Sequence, residues 1–171
     1  MKKIALMALG LTGVLASCGG AGVNDNLPPT TNYTLSHDVR IAGTDKVITS
    51  GHYVICDDRE TKVTTNVQWL PGTQYLELWA RGTETRKEFK LATYKVANIN
   101  QGGQAAIPFT FGKDVLAPLS IVVNPAPNLP NVNVIGYTNL GIRAVDASGN
   151  TVMNPAYSQY VFPVMQSCTT L

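Results

Sequence analysis

Histidine and charged residues are scarce in this chain of 171 residues. It contains 2 histidines, and Asp, Glu, Lys and Arg together make up 14% of it. No Gly-x-Ser-x-Gly motif occurs, so nothing predicts a nucleophile elbow. Ser36, His37 and Asp38 are adjacent, but neighbouring residues of a strand point to opposite faces, so adjacency alone does not make a triad. We therefore predict no catalytic residues and expect a protein that is not an enzyme.

Long apolar runs are also missing after the first residues. The apolar stretch 4–15 follows Lys2 and Lys3 and ends in small residues. It is shorter than the roughly 20 residues that a helix needs to cross about 30 Å of hydrocarbon. A charged segment, an apolar segment and small residues in this order are typical of a cleaved signal peptide. We therefore predict a signal peptide over residues 1–17.

The end of this segment, Leu15-Ala16-Ser17-Cys18, resembles the lipobox of bacterial lipoproteins, in which an aliphatic residue and two small ones precede a cysteine. The resemblance implies cleavage before Cys18 and attachment of lipid to its thiol. Stable anchoring takes at least two acyl chains, which a triacylated cysteine supplies. It also implies a cell-envelope protein that faces the periplasm or the cell surface, with the outer membrane favoured.

Removal of the signal peptide leaves a formally neutral chain. Lys2 and Lys3 account for the formal net charge of +2, since eleven basic residues then face 11 acidic ones. Nucleic-acid binding needs clustered positive charge. The densest basic stretch, residues 84–90, is interrupted by glutamates. We therefore expect no nucleic-acid partner. The expected partners are the membrane, through the lipid on Cys18, and a protein of the envelope.

The three cysteines divide cleanly once lipidation is assumed. Cys18 carries lipid, which leaves Cys56 and Cys168 as a pair in an oxidising compartment, where disulfides form. We predict a disulfide between them that joins the C-terminal segment to an early strand. The alternative is two buried free cysteines that act as small apolar side chains.

Composition divides the mature chain into a tether and one domain. Residues 19–32 are rich in Gly, Asn and Pro and lack periodicity, so they cannot bury enough apolar surface to fold. We predict a lipidated flexible tether over 18–32 and a single domain over 33–171.

Alternating patterns from Tyr33 onward predict an all-β domain. Val63, Thr65 and Val67 alternate with polar residues, which is typical of a half-buried strand. Pro108 within another such run indicates an edge strand. The predicted strands are 47–55, 63–69, 75–81, 107–111, 119–123, 132–137, 140–145 and 157–164. About eight or nine short antiparallel strands at this spacing indicate a β-sandwich, while helical spacing near 85–97 leaves one short helix there as an alternative.

Residues Leu140–Thr151 resemble the penultimate strand and following turn of bacterial immunoglobulin-like and fibronectin type III-like domains. The resemblance implies an immunoglobulin-like sandwich. Ile142 and Ala144 are expected to point into it and Asp146 to cap the turn, while Gly149-Asn150 tolerate positive φ. Gly141 departs from the families, which often carry an aromatic or aliphatic residue there. Proteins with such a fold have many different functions, so the fold alone does not indicate which one this protein has.

Two parts of the sequence contain residues that can ligate a metal. Copper-zinc superoxide dismutases are sandwiches of this size, but they use several histidines, two of them in a His-x-His pair that this chain lacks. His37 and His52 with a carboxylate or Met153 would make an irregular site, so we predict no metal and retain copper as the alternative. Residues 57–60 are acidic but lack the ligand pattern of an EF-hand loop, and we expect a solvated turn.

Tyr75 and Trp79 are the candidate binding residues. They alternate with Leu76 and Leu78, so they share a face with charged residues and are expected on the side away from the core. Large rings beside charges suit a protein partner or a sugar. Core packing of both rings is the alternative left open.

Together these patterns predict a lipid-anchored envelope protein with a binding or structural role, as an accessory subunit of an envelope or surface-layer assembly. The alternatives are a copper-dependent oxidoreductase similar to superoxide dismutase and a carbohydrate-binding module.

Lipidation gives the first testable prediction. We expect palmitate to label the wild-type protein and the Cys18→Ala variant to stay unlabelled, because the thiol of Cys18 is the predicted attachment point. The measurement is metabolic labelling followed by immunoprecipitation, and equal labelling of the two proteins would refute the assignment.

Overall fold

The computed structural model describes residues 22–23, 27–113 and 131–169. These residues form strands and no helix, which confirms the all-β prediction. The predicted signal peptide, Cys18 and the predicted strand 119–123 lie outside the described residues. The strands are β1 (Gly22–Val23), β2 (Thr30–Thr31), β3 (Val39–Ile41), β4 (Val47–Ile48), β5 (Ile55–Cys56), β6 (Thr61–Trp69), β7 (Tyr75–Gly82), β8 (Glu88–Lys95), β9 (Gly103–Phe111), β10 (Asn131–Val132), β11 (Val134–Val145) and β12 (Thr151–Met165).

The strands form three sheets. In the four-stranded sheet, β6 pairs with β9 on one side and with β1 and β2 on the other. The five-stranded sheet has the order β5-β12-β11-β7-β8, in which only the pairing of β5 with β12 is parallel. A small third sheet has the order β10-β3-β4. Among the described strands β9 pairs with β6 alone, which confirms the edge position that Pro108 indicated.

The main core lies between the four-stranded and the five-stranded sheet, as in a sandwich. One apolar cluster joins the inward side chains of β6 and β9 to those of β7, β11 and β12. Leu76, Leu78 and Ala80 of β7 are fully buried in it, as their alternation predicted. Burial of a side chain of this size contributes roughly 1.5–3 kcal/mol, so this cluster is the main source of stability. Its buried members are Ile55, Val63, Val67, Leu76, Leu78, Ala80, Val96, Ile107, Phe109, Phe111, Leu140, Ile142, Ala144, Phe162 and Val164.

The helix considered near 85–97 is wrong, because Glu88–Lys95 is strand β8, paired with β7. Leu78 is opposite Ala92 and Trp79 is opposite Lys90, so Leu91 is an extra residue in the ladder. This bulge interrupts the period of two and gives β8 its misleading helical spacing. Pairing with a neighbouring strand then overrides the local helix propensity.

The predicted tether extends too far toward the domain. Gly22–Val23 and Thr30–Thr31 both pair with β6, so parts of residues 18–32 belong to the four-stranded sheet. The Thr31 side chain is buried, and its hydroxyl donates to the carbonyl of Val54 at 2.7 Å. Composition misses this because backbone pairing to an existing strand requires no apolar side chains.

Other boundaries differ in length. Residues 132–137 and 140–145, predicted as two strands, are largely one continuous strand, β11. The predicted strand 47–55 is instead two short pieces, β4 and β5, separated by a turn in which Gly51 has a φ of 80°. That left-handed conformation is available to glycine at little cost.

The turn between β11 and β12 follows the expected chemistry. The carboxylate of Asp146 accepts hydrogen bonds from the amides of Ser148 and Asn150, each at 2.8 Å. The side chain of Asn150 donates to the same carboxylate, and these bonds lower the pKa of Asp146. Gly149 has a φ of 81°, whereas Asn150 does not share it, since Arg86 is the one described non-glycine residue with positive φ.

The predicted disulfide between Cys56 and Cys168 is present, with a Cα–Cα distance of 5.6 Å. Both cysteines are buried in a second, smaller apolar cluster between the third sheet and the end of β12. The bridge spans 112 residues of sequence and holds the C-terminal segment against this cluster. Its members are Leu35, Val39, Ile41, Ile48, Val54, Cys56, Val132, Met165 and Cys168.

Removal of this bridge should destabilise the domain. We expect the double variant Cys56→Ala/Cys168→Ala to lose about 2–5 kcal/mol of unfolding free energy, because the unfolded chain gains freedom when a long loop is opened. Guanidinium unfolding of the variant beside the oxidised and reduced wild type measures the loss. Two free thiols per unfolded, unreduced wild-type molecule would contradict the bridge itself.

Candidate functional site

The candidate site lies on the outer face of the five-stranded sheet, the side opposite the main core. Because Leu76, Leu78 and Ala80 point inward, the alternate residues of β7 point outward. Both predicted binding residues lie on this face, and each is partly buried. We define the outer face by eight residues: Tyr75, Glu77, Trp79, Arg81, Glu88, Lys90, Arg143 and Tyr157.

Two arginines cover two aromatic rings of this face. The guanidinium carbon of Arg143 lies 4.1 Å from the ring centroid of Trp79, and that of Arg81 lies 3.9 Å from the ring centroid of Tyr157. Such cation–π contacts stabilise by about 0.5–2 kcal/mol each, with the larger value for desolvated pairs. The outer face is therefore a packed layer rather than a row of independent side chains.

Gly141 leaves the space that the contact between Arg81 and the Tyr157 ring needs. Gly141 of β11 is opposite Trp79 of β7 on one side and opposite Tyr157 of β12 on the other. A Cβ atom at Gly141 would lie 2.5 Å from Cδ1 of Tyr157 and 2.9 Å from the carbonyl oxygen of Ala156. The Tyr157 ring thus occupies the space above the glycine, and there it meets Arg81, which extends from the far strand.

Acidic side chains fix the same layer from the β7 and β8 side. Glu77 accepts a hydrogen bond from Nε1 of Trp79 and another from Nζ of Lys90, each at 3.0 Å. Its side chain is only 13% exposed. Glu88 lies 3.9 Å from Arg143. Arg81 forms no ion pair within 4.0 Å in the described part of the chain, although Glu88 is opposite it on β8, and its guanidinium lies on the Tyr157 ring instead.

Burial has measurable electrostatic effects here. Loss of water around the phenol and the negative charge of nearby Glu88 raise the pKa of Tyr157 to about 12. The Nε atoms of Arg81 and Arg143 are buried and have no hydrogen-bond partner among the described residues. Polar atoms left in this state cost free energy, typically about 1–3 kcal/mol each. The other contacts of this layer therefore offset the free-energy cost of these unpaired polar atoms.

The arrangement bears on sugar binding. Arg143 covers Trp79, and Tyr157 lies between Gly141 and Arg81. A sugar that stacks on either ring from the guanidinium side would have to displace an arginine first. The geometry instead presents guanidinium groups, a lysine and carboxylates, which suits polar recognition of another protein.

The weak metal candidates are not brought together. His37 lies beside Ser36, with 2.9 Å between Nδ1 and the hydroxyl. His52 stacks on Tyr160, with ring centroids 5.1 Å apart. In residues 27–113 and 131–169, the one group of three metal-ligating side chains within reach of one another is Cys56, Asp58 and Cys168, two of which are joined in the disulfide.

The acidic stretch 57–60 is a turn as expected, but it is not fully solvated, because Asp57 is buried. The Asp58 carboxylate accepts two hydrogen bonds from Arg59, at 3.1 and 3.0 Å, and one from the Ser167 hydroxyl at 2.8 Å. These partners lower the pKa of Asp58. The carboxylate oxygens are thus engaged by groups of this chain in the described structure.

Comparison of the chain with protein-family models, curated proteins and solved structures finds no match. No helix within the described residues is long and apolar enough to cross a membrane. The assignment of a site therefore depends on the geometry of this chain alone.

Sequence reasoning placed Tyr75, Trp79 and the charged residues of β7 on one face but missed Tyr157 and Arg143. A signal for them was present at Gly141, a glycine within an otherwise regular strand. Such a glycine often marks a site where another group closely approaches the backbone.

A substitution at Gly141 tests this packing. We expect Gly141→Ala to displace the Tyr157 ring, to lower the unfolding free energy by about 1–3 kcal/mol, and to move the pKa of Tyr157 down toward its ordinary value near 10. Denaturant unfolding and the absorbance change of tyrosine ionisation, each compared with a Tyr157→Phe reference, measure the two effects.

Gly112→Ala is the matched control, since nothing lies within 4 Å of a Cβ placed there. An unchanged Tyr157 titration in Gly141→Ala would contradict the close approach.

Proposed function

We propose that this protein is a lipid-anchored binding subunit of a cell-envelope assembly and that it recognises a partner protein through the outer face of the five-stranded sheet. The observation that carries the proposal is the pair of arginine–aromatic stacks, Arg143 on Trp79 and Arg81 on Tyr157. The lipobox-like segment that ends at Cys18 supports the envelope location, and the disulfide is compatible with export.

The residue types of the outer face are those that dominate protein interfaces. Arginine, tryptophan and tyrosine are enriched at the centres of such interfaces and supply most of their binding energy. Here Glu77 and Gly141 already fix the positions of the rings. Immobilising a flexible side chain on binding costs about 0.5–1.5 kcal/mol, so side chains that are ordered beforehand lose less.

The charge distribution indicates the partner's chemistry. Glu77 is engaged by Trp79 and Lys90, whereas Arg81 is stacked without a carboxylate partner among the described residues. A carboxylate on the partner would complete this site with a charge-assisted hydrogen bond. We therefore assign an acidic contact on the partner to the position of Arg81.

Site-specific crosslinking in intact envelopes tests the proposal. A photoreactive amino acid placed at Lys90, on the outer face, should yield one dominant protein adduct, identified by mass spectrometry. The Arg81→Gln exchange in the same chain should reduce the yield at least about tenfold, since a charge-assisted contact contributes roughly 1.5–3 kcal/mol.

Lys62, exposed on the four-stranded sheet, is the control position and should give little adduct. Equal protein adducts from both positions, or adducts with lipid alone, would argue against a specific partner on the outer face. Loss of crosslinking on addition of glycans, with Arg81→Gln unaffected, would favour a carbohydrate ligand instead.

A further inference from the structure

A concave region lies beyond the end of β7, where three parts of the chain meet. A pocket of about 200 Å³ is formed by the β3–β4 hairpin, the β7–β8 turn and the first residues of β11. A more open pocket of about 390 Å³ adjoins it, and the two share Ile41, Lys46 and Tyr137 as lining residues. Together they form one groove, which we call the Tyr137 groove.

One wall of this groove is a length of strand with an unpaired edge. β11 pairs with β12 from Val134 onward, but its pairing with β7 begins only at Thr138, opposite Gly82. Residues 134–136 therefore have a strand neighbour on one side only, within the described structure. Ile135 is part of neither ladder, because a bulge separates Val134 from Gly136.

The opposite edge of the groove is held firmly in place. β7 ends in a turn whose residue Thr83 donates twice to the carbonyl of Tyr137, through its amide at 3.0 Å and its hydroxyl at 3.3 Å. The same turn contains Arg86, with a φ of 56°. A non-glycine residue persists in that conformation only where the surroundings impose it. The groove is therefore preformed in the structure.

The lining combines apolar walls with two charges. Ile41, Val134 and Ile135 supply apolar surface, and Lys46 and Glu84 carry opposite charges. Neither Lys46 nor Glu84 forms an ion pair in residues 27–113 and 131–169. Burial and the charge of Glu84 raise the pKa of Tyr137.

We propose that the Tyr137 groove binds an extended peptide segment of a partner protein, which adds as a strand along residues 134–136. An unpaired strand edge offers amide donors and carbonyl acceptors that complement a peptide backbone, and adjoining pockets accept alternate side chains. The pocket of about 200 Å³ has room for one apolar side chain of the peptide. An acidic residue of the peptide lies beside Lys46.

Peptide selection on the purified full-length protein tests this assignment. A random heptapeptide library displayed on phage is the probe, and the most enriched sequence is then synthesised with capped ends. N-methylation of its backbone amides one at a time should weaken binding about tenfold only at a position that faces residues 134–136, because the methyl removes one hydrogen bond of the ladder there. The other positions should change it less than about twofold.

Variants of the protein locate the site. Lys46→Glu should weaken the peptide several-fold, whereas Lys62→Glu, a charge reversal on the four-stranded sheet, should leave it unchanged. Hydrogen exchange should slow at residues 134–137 when the peptide is bound. Arg81→Gln should bind the peptide as the wild type does, so failure of the outer-face proposal and failure of this one are distinguishable.

Several results would overturn the proposal. These are selection that enriches no sequence, N-methylation that weakens binding at no position, protection from exchange only on the outer face, and a Lys46→Glu variant that binds the peptide as tightly as the wild type. Concentration-dependent dimerisation abolished by Lys46→Glu would assign the groove to a second copy of this chain instead.

Discussion

The pairing of β11 between β7 and β12 is the constraint on which most of the molecule depends. Its inward residues Leu140, Ile142 and Ala144 complete the main core, while its outward residues Gly141 and Arg143 organise the outer face. Since alternate residues of one strand supply both layers, a slip of one residue would exchange apolar and charged side chains. Core packing and site geometry are therefore fixed by the same register.

Sequence patterns predicted the fold class because they act through local and general rules. Alternation in β6 and β7, turn chemistry at Asp146 and the parity of the cysteines each lead directly to a feature of the structure. The same patterns gave wrong predictions where the secondary structure of a segment depends on the strand with which it pairs. The bulge at Leu91 resembled a helix period, and strands β1 and β2 depend on backbone bonds to β6 that composition does not encode.

Only those residues of the candidate site that lie on one strand could be predicted from the sequence, for a related reason. Alternation placed Tyr75 and Trp79 on the correct face, since that inference needs only one strand. Arg81 and Tyr157 come from strands separated by β11, and their contact exists because Gly141 leaves room between them. A contact across an intervening strand requires the sheet order, which a single sequence does not provide.

The arginine stacks also constrain what kind of partner the outer face suits. A guanidinium that lies on a ring has lost part of its hydration before any partner arrives, and it is more weakly hydrated than an ammonium group from the outset. Arg81 therefore has less desolvation to undergo on binding than exposed Lys90, which pairs with Glu77 in the described structure. Because an incoming carboxylate gains most where the cation is ordered and partly desolvated, we expect the proposed acidic contact at Arg81 rather than at the rim of the face.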